Sequence, residues 1–240
     1  MNPYLLIGLA ALLGGVVQAS TGFGFAIVTM SIWPLIMPFR SAVAVEVFVA
    51  LVLCIRILWP LRSYVKPRMV LWPFIGSLIL SPLGLATMLG VPESIMRRLL
   101  GGTILILAIY FVFLGGRLRF RQCAPHGLAA GVASGFFGGL LGMGGPPMVA
   151  YLLSVTQEKK EYGANLQVFF VVMGFYHLLL HGLANNITAQ VLTYSAVGIV
   201  GVLLGSLIGV RIFNRMSIDS LRKCIYTFMA VFGVYLLIAG

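Results

Sequence analysis

Long runs of apolar residues, separated by short polar stretches, dominate the chain. They occupy eight segments, at 4–39, 42–60, 69–90, 94–115, 127–155, 164–182, 189–212 and 219–239. A helix needs roughly 20 apolar residues to cross a bilayer, so six of these segments each predict one transmembrane helix. Segments 4–39 and 127–155 are too long for a single crossing, and glycines interrupt each of them near its middle.

The two interruptions read QASTGFGF at 18–25 and GMGGPP at 142–147. Irregular backbone at membrane depth persists only where protein or a polar cavity satisfies its N–H and C=O groups. We therefore expect two re-entrant hairpins, in which the second half-helix starts at the break and turns its free N–H groups into the gap. Those groups and the positive end of the helix dipole favour an anion. The alternative is that the glycines serve only close helix packing.

Short sequence matches recur in the same order in both halves of the chain. Gly8-Leu-Ala-Ala11 returns as Gly127-Leu-Ala-Ala130, Gly22-Phe-Gly24 as Gly142-Met-Gly144, and Gly76, Ser81 and Gly84 as Gly201, Ser206 and Gly209. This order predicts a duplication into repeat 1 (1–120) and repeat 2 (121–240) within a single membrane domain. In each repeat a hairpin precedes three transmembrane helices.

The basic residues in the loops decide how the repeats are oriented. If each long segment crosses only once, the Lys and Arg residues divide almost evenly between the two faces, against the positive-inside rule. If each returns as a hairpin, only Arg40, Arg97 and Arg98 remain on one face, and the other thirteen lie on the opposite face. Those thirteen are Arg56, Arg62, Lys66, Arg68, Arg117, Arg119, Arg121, Lys159, Lys160, Arg211, Arg215, Arg222 and Lys223. The two repeats are then inverted, and both termini are predicted to be extracytoplasmic.

Composition agrees with a membrane protein, because 60% of the residues are hydrophobic and 9% are charged, against roughly 25% charged in soluble domains. The alternation of a transmembrane β-barrel is missing. We therefore predict an all-α polytopic membrane protein. The net charge of +11 fits cytoplasmic loops in contact with anionic lipids, and we expect no nucleic-acid partner. The three dispersed cysteines predict neither a disulfide framework nor a metal site.

Three features resemble the TauE/SafE sulfite exporter family, also called the toluene sulfonate uptake permeases. They are the two-repeat layout, STGFGFAIVTMSIWPL in the first half and GFFGGLLGMGGPPMVAYLL in the second. The resemblance covers essentially the whole chain, and GxxxGxxGGxxGxGGPP at 131–147 is its sharpest part. It implies a multi-pass carrier of the bacterial inner membrane for small sulfur-containing or organic anions, such as sulfite, sulfoacetate and related sulfonates.

Candidate substrate-binding residues cluster around the two breaks. They are Gln18, Ser20, Thr21, Gly22, Phe23 and Gly24 at the first break, Gly142, Met143, Gly144 and Gly145 at the second, and Asn165 and Gln167 at the start of the sixth segment. Glycines let the backbone approach a ligand closely, and the hydroxyl and amide groups add hydrogen-bond donors. For Asn165 and Gln167, helix capping and bonding to a neighbour is the competing interpretation.

Four ionisable residues in the spans are candidates for proton coupling or gating, because charges within the bilayer are costly. Glu46 is a candidate proton-coupling carboxylate, or else an interfacial group balanced by Arg40. Its repeat counterpart, Gln167, cannot titrate. His177 and His181 lie four residues apart on one helix face, and they either relay protons or gate, or are ordinary interfacial histidines. Arg56 either snorkels to the interface or guides an anion.

Together these features predict a secondary transporter or exporter of a small anion that works by alternating access. Either the proton gradient or the substrate gradient alone would drive it. The alternative is an anion channel of the same architecture. We predict no enzyme, metal or cofactor, since the polar residues form no catalytic or metal-ligand cluster and the chain lacks a Walker A motif. The sequence does not indicate an oligomeric state.

Overall fold

The computed structural model describes residues 2–109 and 120–217, together with 219, 220, 223 and 227. Helices account for almost all of this part of the chain, and it contains no strand. The α-helices are α1 (Pro3–Thr21), α2 (Phe25–Met30), α3 (Phe39–Leu58), α4 (Pro67–Gly90), α5 (Glu93–Ile109), α6 (Ala124–Leu141), α7 (Gly145–Val155), α8 (Lys159–Leu183) and α9 (Ala189–Arg215). Short 3-10 turns follow α2 at Trp33–Leu35 and α3 at Trp59–Tyr64.

The prediction of an all-α polytopic membrane protein is confirmed. Five segments of the described chain are long and apolar enough to cross a membrane, namely Pro3–Thr21, Phe39–Tyr64, Pro67–Gly90, Lys159–Leu183 and Ala189–Arg215. The predicted segment 94–115 is described as a helix as far as Ile109, and most of 219–239 lies outside the described residues.

Both predicted interruptions are real breaks between helices. The residue after α1 is Gly22 and the residue after α6 is Gly142, and their φ angles are +92° and +71°. Glycine adopts this left-handed conformation without the steric cost that a side chain brings, and it commonly ends helices. The pieces on either side differ in length, because α1 has 19 residues and α2 only six, whereas α6 has 18 and α7 has 11.

The two most extensive helix contacts, between α1 and α9 and between α4 and α6, depend on glycines that let two backbones touch. An ideal Cβ on Gly135 of α6 would lie 2.5 Å from the carbonyl oxygen of Ser77 in α4, and one on Gly209 of α9 would lie 2.5 Å from that of Val16 in α1. Such spacing is typical of small-residue helix interfaces in membranes. Much of the glycine-rich pattern at 131–147 therefore serves packing, and the break itself starts at Gly142.

The order of these contacts gives the relative directions of the helices. Along α1 and α9, Gly8 meets Gly201 and Val16 meets Gly209, so these two helices run parallel. Gly131 meets Pro73 and Gly139 meets Ser81, which makes α6 parallel to α4.

The central helices follow the same scheme. Between α3 and α8, Arg40 lies near Asn186 and Leu51 near Gly174, so this pair is antiparallel. Val49 lies near Gly198 and Arg56 bonds to Ser206, so α3 runs parallel to α9. Phe74 stacks on Phe169 and Ser81 contacts His177, so α4 runs parallel to α8. It follows that α1, α3 and α9 point one way, and α4, α6 and α8 point the other way.

Because α1 and α3 run in the same direction, the stretch between them must return toward the end at which α1 began. The same holds for α6 and α8, between which α7 returns.

The basic loops also gather at one end of the bundle. Lys66 forms an ion pair with Glu161, Lys160 contacts Tyr64, and Lys159 donates to the Phe213 carbonyl.

Candidate functional site

A cavity of about 700 Å³, counting the open space at its mouth, lies between the two breaks. The breaks meet there, because an ideal Cβ on Gly145 would lie 3.8 Å from the Cβ of Phe23. Many of the predicted site residues line it, namely Gln18, Phe23, Gly24, Glu46, Gly142, Met143, Gly144, Gly145 and His177. None of the lining residues within the described chain is a lysine or an arginine.

Gln18 fixes the geometry of the first break. Its side chain is buried, its Oε1 accepts a hydrogen bond from the Phe25 N–H at 3.2 Å, and its Nε2 donates to the Sγ of Cys54 at 3.1 Å. One glutamine therefore ties the last turn of α1 to the first residue of α2 and to the central helix α3.

Three predicted substrate ligands at the first break point elsewhere. The hydroxyl groups of Ser20 and Thr21 donate to the Val17 carbonyl at 2.9 and 2.8 Å, within the last turn of α1. Gly22 does not line the cavity, and its carbonyl oxygen accepts from Nε2 of Gln167 at 2.7 Å. In these positions the groups hold the break together rather than face the cavity.

The two amides predicted at the start of the sixth segment are also outside the cavity. Asn165 accepts from the Lys66 N–H at 2.9 Å and donates to the Glu161 carbonyl at 2.8 Å, so it fastens the α3–α4 connection. The structure does not bring Asn165 to the breaks. Gln167 is fully buried against the first break, and its Oε1 has no hydrogen-bond partner in the described chain.

Glu46 is the acidic residue of the cavity wall. It is 5% exposed, and its Oε2 would lie 3.2 Å from an ideal Cβ on Gly142. Arg40, the predicted balancing cation, donates instead to the Leu89 carbonyl at 2.6 Å. Among the described residues, no cation pairs with Glu46.

The two histidines have different surroundings. His177 lines the cavity, and its Nε2 lies 3.0 Å from the Oγ of Ser81. His181 is buried outside the cavity, with its Nδ1 2.8 Å from Nδ2 of Asn186. Arg56 also lies outside the cavity and donates from Nε to the Oγ of Ser206 at 2.7 Å.

The donors available to an anion are fewer than predicted for the second break. Helix α7 begins at Gly145, but Pro146 and Pro147 follow, and proline has no N–H. At the first break, the N–H of Phe25 is bound to Gln18, while those of Ala26 and Ile27 have no partner within α2 because they lie in its first turn. The prolines therefore leave the second break with fewer N–H donors than its position at the start of a half-helix predicts.

Sequence reasoning missed most of the cavity wall. On α8 it is formed by Phe169, Phe170, Met173, Gly174 and His177, and on α3 by Glu46, Val47, Ala50, Leu51 and Cys54. Both sets recur at intervals of one, three and four residues, which is the spacing of a single helix face. Once Glu46 and His177 are taken as cavity residues, this spacing predicts the other residues on the same face of each helix.

No group of three or more metal-ligand side chains occurs in the part of the chain that the structure describes. Fold and site together thus define a multi-pass helical membrane protein whose cavity lies where two broken helices meet, and this construction is typical of secondary transporters.

The sequence model of the family described as "Sulfite exporter TauE/SafE" matches residues 7–236. The chain belongs to this family. It is also 24% identical, over 97% of its own length and 94% of the relative's, to a probable sulfite/organosulfonate exporter TauE of Cupriavidus necator. No solved structure matches the chain.

Proposed function

We propose that the protein is a secondary transporter of the bacterial inner membrane that exports a small sulfur-containing anion, either sulfite or an organosulfonate. The family match over residues 7–236 supports the class of substrate, and the relative's name supports export. The observation that carries the proposal for a site is the cavity between the two glycine breaks.

We place the anion in this cavity. The wall formed by Phe169, Phe170 and Met173 suits the organic part of a sulfonate. Pockets of mostly apolar character with a few polar groups are usual for small organic ligands. A bare oxyanion would gain less from such a wall.

Alternating access between inverted halves is our proposed mechanism. It is supported by the helix directions, since α1, α3 and α4 of the first half each run opposite to their respective counterparts α6, α8 and α9 in the second. The two halves also share a helix cap. Arg40 caps the carboxyl end of α4 at Leu89, and Lys159 caps the carboxyl end of α9 at Phe213. Such symmetry allows two states of similar energy that open to opposite sides.

Proton coupling is part of the proposal. An ionised Glu46 in the cavity wall would repel an anion, so the anion binds when this carboxyl is protonated. We assign the end that carries Lys66, Lys159 and Lys160 to the cytoplasm, following the positive-inside rule. The start of α1 then faces the periplasm, and we expect the C-terminus to do so as well, because the sequence predicts one further crossing at 219–239.

The test is transport into proteoliposomes that contain the purified protein. Radiolabelled sulfite, thiosulfate, sulfoacetate and oxalate are offered with and without an imposed pH gradient. We expect saturable movement of one or more sulfur anions that the gradient accelerates. Movement of cations alone, or of none of these solutes, would contradict the proposal. A flux without saturation and insensitive to the pH gradient would favour a channel instead.

A further inference from the structure

The two breaks provide an internal comparison, because each begins at a left-handed glycine but has a different side chain beside that glycine. Gly22 and Gly142 both end a long helix with a positive φ. Their N–H groups donate to the carbonyl four residues earlier, to Gln18 at 2.7 Å and to Gly138 at 3.0 Å. The carbonyl group of each glycine must then find a partner outside its own helix.

At the first break a side chain supplies that partner. Nε2 of Gln167 donates to the Gly22 carbonyl at 2.7 Å, and Gln167 has no exposed surface. This bond joins the hairpin of the first half to α8 of the second half. An amide donates at every pH, so the first break is always fastened.

At the second break Glu46 takes the place of Gln167. Glu46 is the eighth residue of α3 and Gln167 the ninth residue of α8, in helices that occupy the same position in the two halves. The Glu46 carboxyl packs against Gly142, as the short distance from Oε2 to an ideal Cβ there shows. Each side chain thus reaches the break of the opposite half.

The chemistry of the two side chains differs in one respect. A protonated carboxyl has an O–H that can donate to a backbone carbonyl as the amide of Gln167 does, whereas a carboxylate only accepts. A carboxylate that approaches a carbonyl oxygen is repelled by its negative partial charge. The titratable groups that share the cavity wall with Glu46 are Cys54 on α3 and His177 on α8. Helices α6 and α7 present no titratable side chain to the cavity.

We propose that Glu46 is a proton-dependent latch on the second break. When its carboxyl takes a proton from the cavity, its O–H donates to the backbone of the break at Gly142 and fastens α6 and α7 to α3. When the proton leaves, that bond is lost and the second break loosens, while the first break stays fastened through Gln167. Only the link from latch to coupled transport rests on the proposed function.

Hydrogen–deuterium exchange at the breaks tests the latch without any transported anion. Exchange is measured by mass spectrometry on purified protein between pH 5 and 9 and corrected for the intrinsic pH dependence of amide exchange. We expect the segment after Gly142 to lose protection as the pH rises, by roughly two- to tenfold, the effect of one buried hydrogen bond on local opening. The segment after Gly22 should show no such change.

Two variants make the comparison symmetrical. Glu46→Gln copies the first break, and we expect it to keep the second break protected at every pH. Gln167→Glu copies the second break at the first, and we expect it to make exchange at the first break depend on pH as well. His177→Gln should leave the wild-type pH dependence at Gly142 intact.

The latch is wrong if wild-type protection at Gly142 does not change with pH, or if Glu46→Gln keeps the wild-type dependence. If Glu46→Gln does not fold, the wild type and Gln167→Glu decide between the outcomes. A protein that moves no anion but shows the expected exchange would contradict the proposed function and leave the latch standing. Normal anion transport with no pH effect on exchange at the break would support the proposed function and contradict the latch.

Discussion

At the scale of single residues, the cavity depends on side chains that fasten the breaks as much as on those that face the substrate. Gln18 is the clearest case, because its amide satisfies the Phe25 N–H and also donates to Cys54. Removing the amide leaves a buried N–H without a partner.

We therefore expect Gln18→Leu to lower the stability of the protein by about 1–3 kcal/mol, the usual cost of an unsatisfied buried polar group. The measurement is the thermal unfolding midpoint in detergent, together with transport in proteoliposomes. Gln190→Leu is the matched control, since Gln190 lies on the exposed first turn of α9 and bonds only to the Tyr194 hydroxyl. Equal midpoints for the two variants would show that Gln18 does not hold the break.

The sequence singled out polar residues within the apolar segments but did not show what those residues contact. Gln18, Glu46 and His177 line the cavity. Asn165, predicted to lie near the second break, instead fastens the α3–α4 connection. The partner of a polar side chain depends on which helix packs against it, and a single sequence contains no direct record of that packing.

At the scale of helices, the contact of α4 with α6 depends on glycine. An ideal Cβ on Gly131 would lie less than 3.0 Å from the backbone of Pro73, a distance that Cβ atoms essentially never show. No flexible side-chain end is involved, so the two helices would have to separate. Their separation would also move the second break, which directly follows α6.

We expect Gly131→Ala to cost about 1–3 kcal/mol, as overpacking of a close contact usually does. Gly102→Ala on α5 is the control, because a Cβ there would meet no atom of the described residues within 4 Å. Alanine also favours helix over glycine, so the control should be as stable as the wild type or slightly more stable. The unfolding midpoints of both variants provide the comparison. An equally stable Gly131→Ala would mean that the two helices are not closely packed.

The helices and their breaks could be predicted because apolar length and glycine position are local properties. The unequal pieces of the hairpins could not, since the sequence does not show that α2 ends after six residues and gives way to a 3-10 turn. The absence of N–H donors at Pro146 and Pro147 could be predicted from the sequence, because proline has no N–H in any conformation. Breaks at equivalent positions of the two repeats therefore need not offer the same N–H donors.

At the scale of the whole molecule, charge sets the orientation that we propose. The α3–α4 connection and the start of α8 bring basic residues to one end, while α9 starts at the opposite end beside Arg40 and Asn186. The helix contacts show that the α3–α4 connection and the start of α9 lie at opposite ends of the bundle. Which end faces the cytoplasm is inferred from the charge.

Labelling with a membrane-impermeant maleimide tests this orientation. In a background with serine at Cys54, Cys123 and Cys224, we expect Ala189→Cys to react in intact spheroplasts. Ser63→Cys, which lies in the basic α3–α4 connection, should react only after the membrane is disrupted. The opposite pattern would reverse the orientation, and equal labelling of both positions in intact spheroplasts would contradict the positions of the two ends.

The central claim is that the cavity between the two breaks is where the anion binds. Ala50 lines this cavity from α3, whereas Val200 on α9 is 61% exposed on the outer face of the bundle. A phenylalanine at position 50 would fill the cavity, and the same side chain at position 200 would face the surroundings. The two substitutions therefore separate occupation of the cavity from the addition of an aromatic ring.

The most direct measurement is saturable binding of radiolabelled sulfoacetate to purified wild type, Ala50→Phe and Val200→Phe, each shown to be folded by its gel-filtration profile. We expect wild type and Val200→Phe to bind alike and Ala50→Phe to bind at least about tenfold more weakly, a loss of about 1.4 kcal/mol. Unchanged binding by a folded Ala50→Phe would place the anion site elsewhere in the protein.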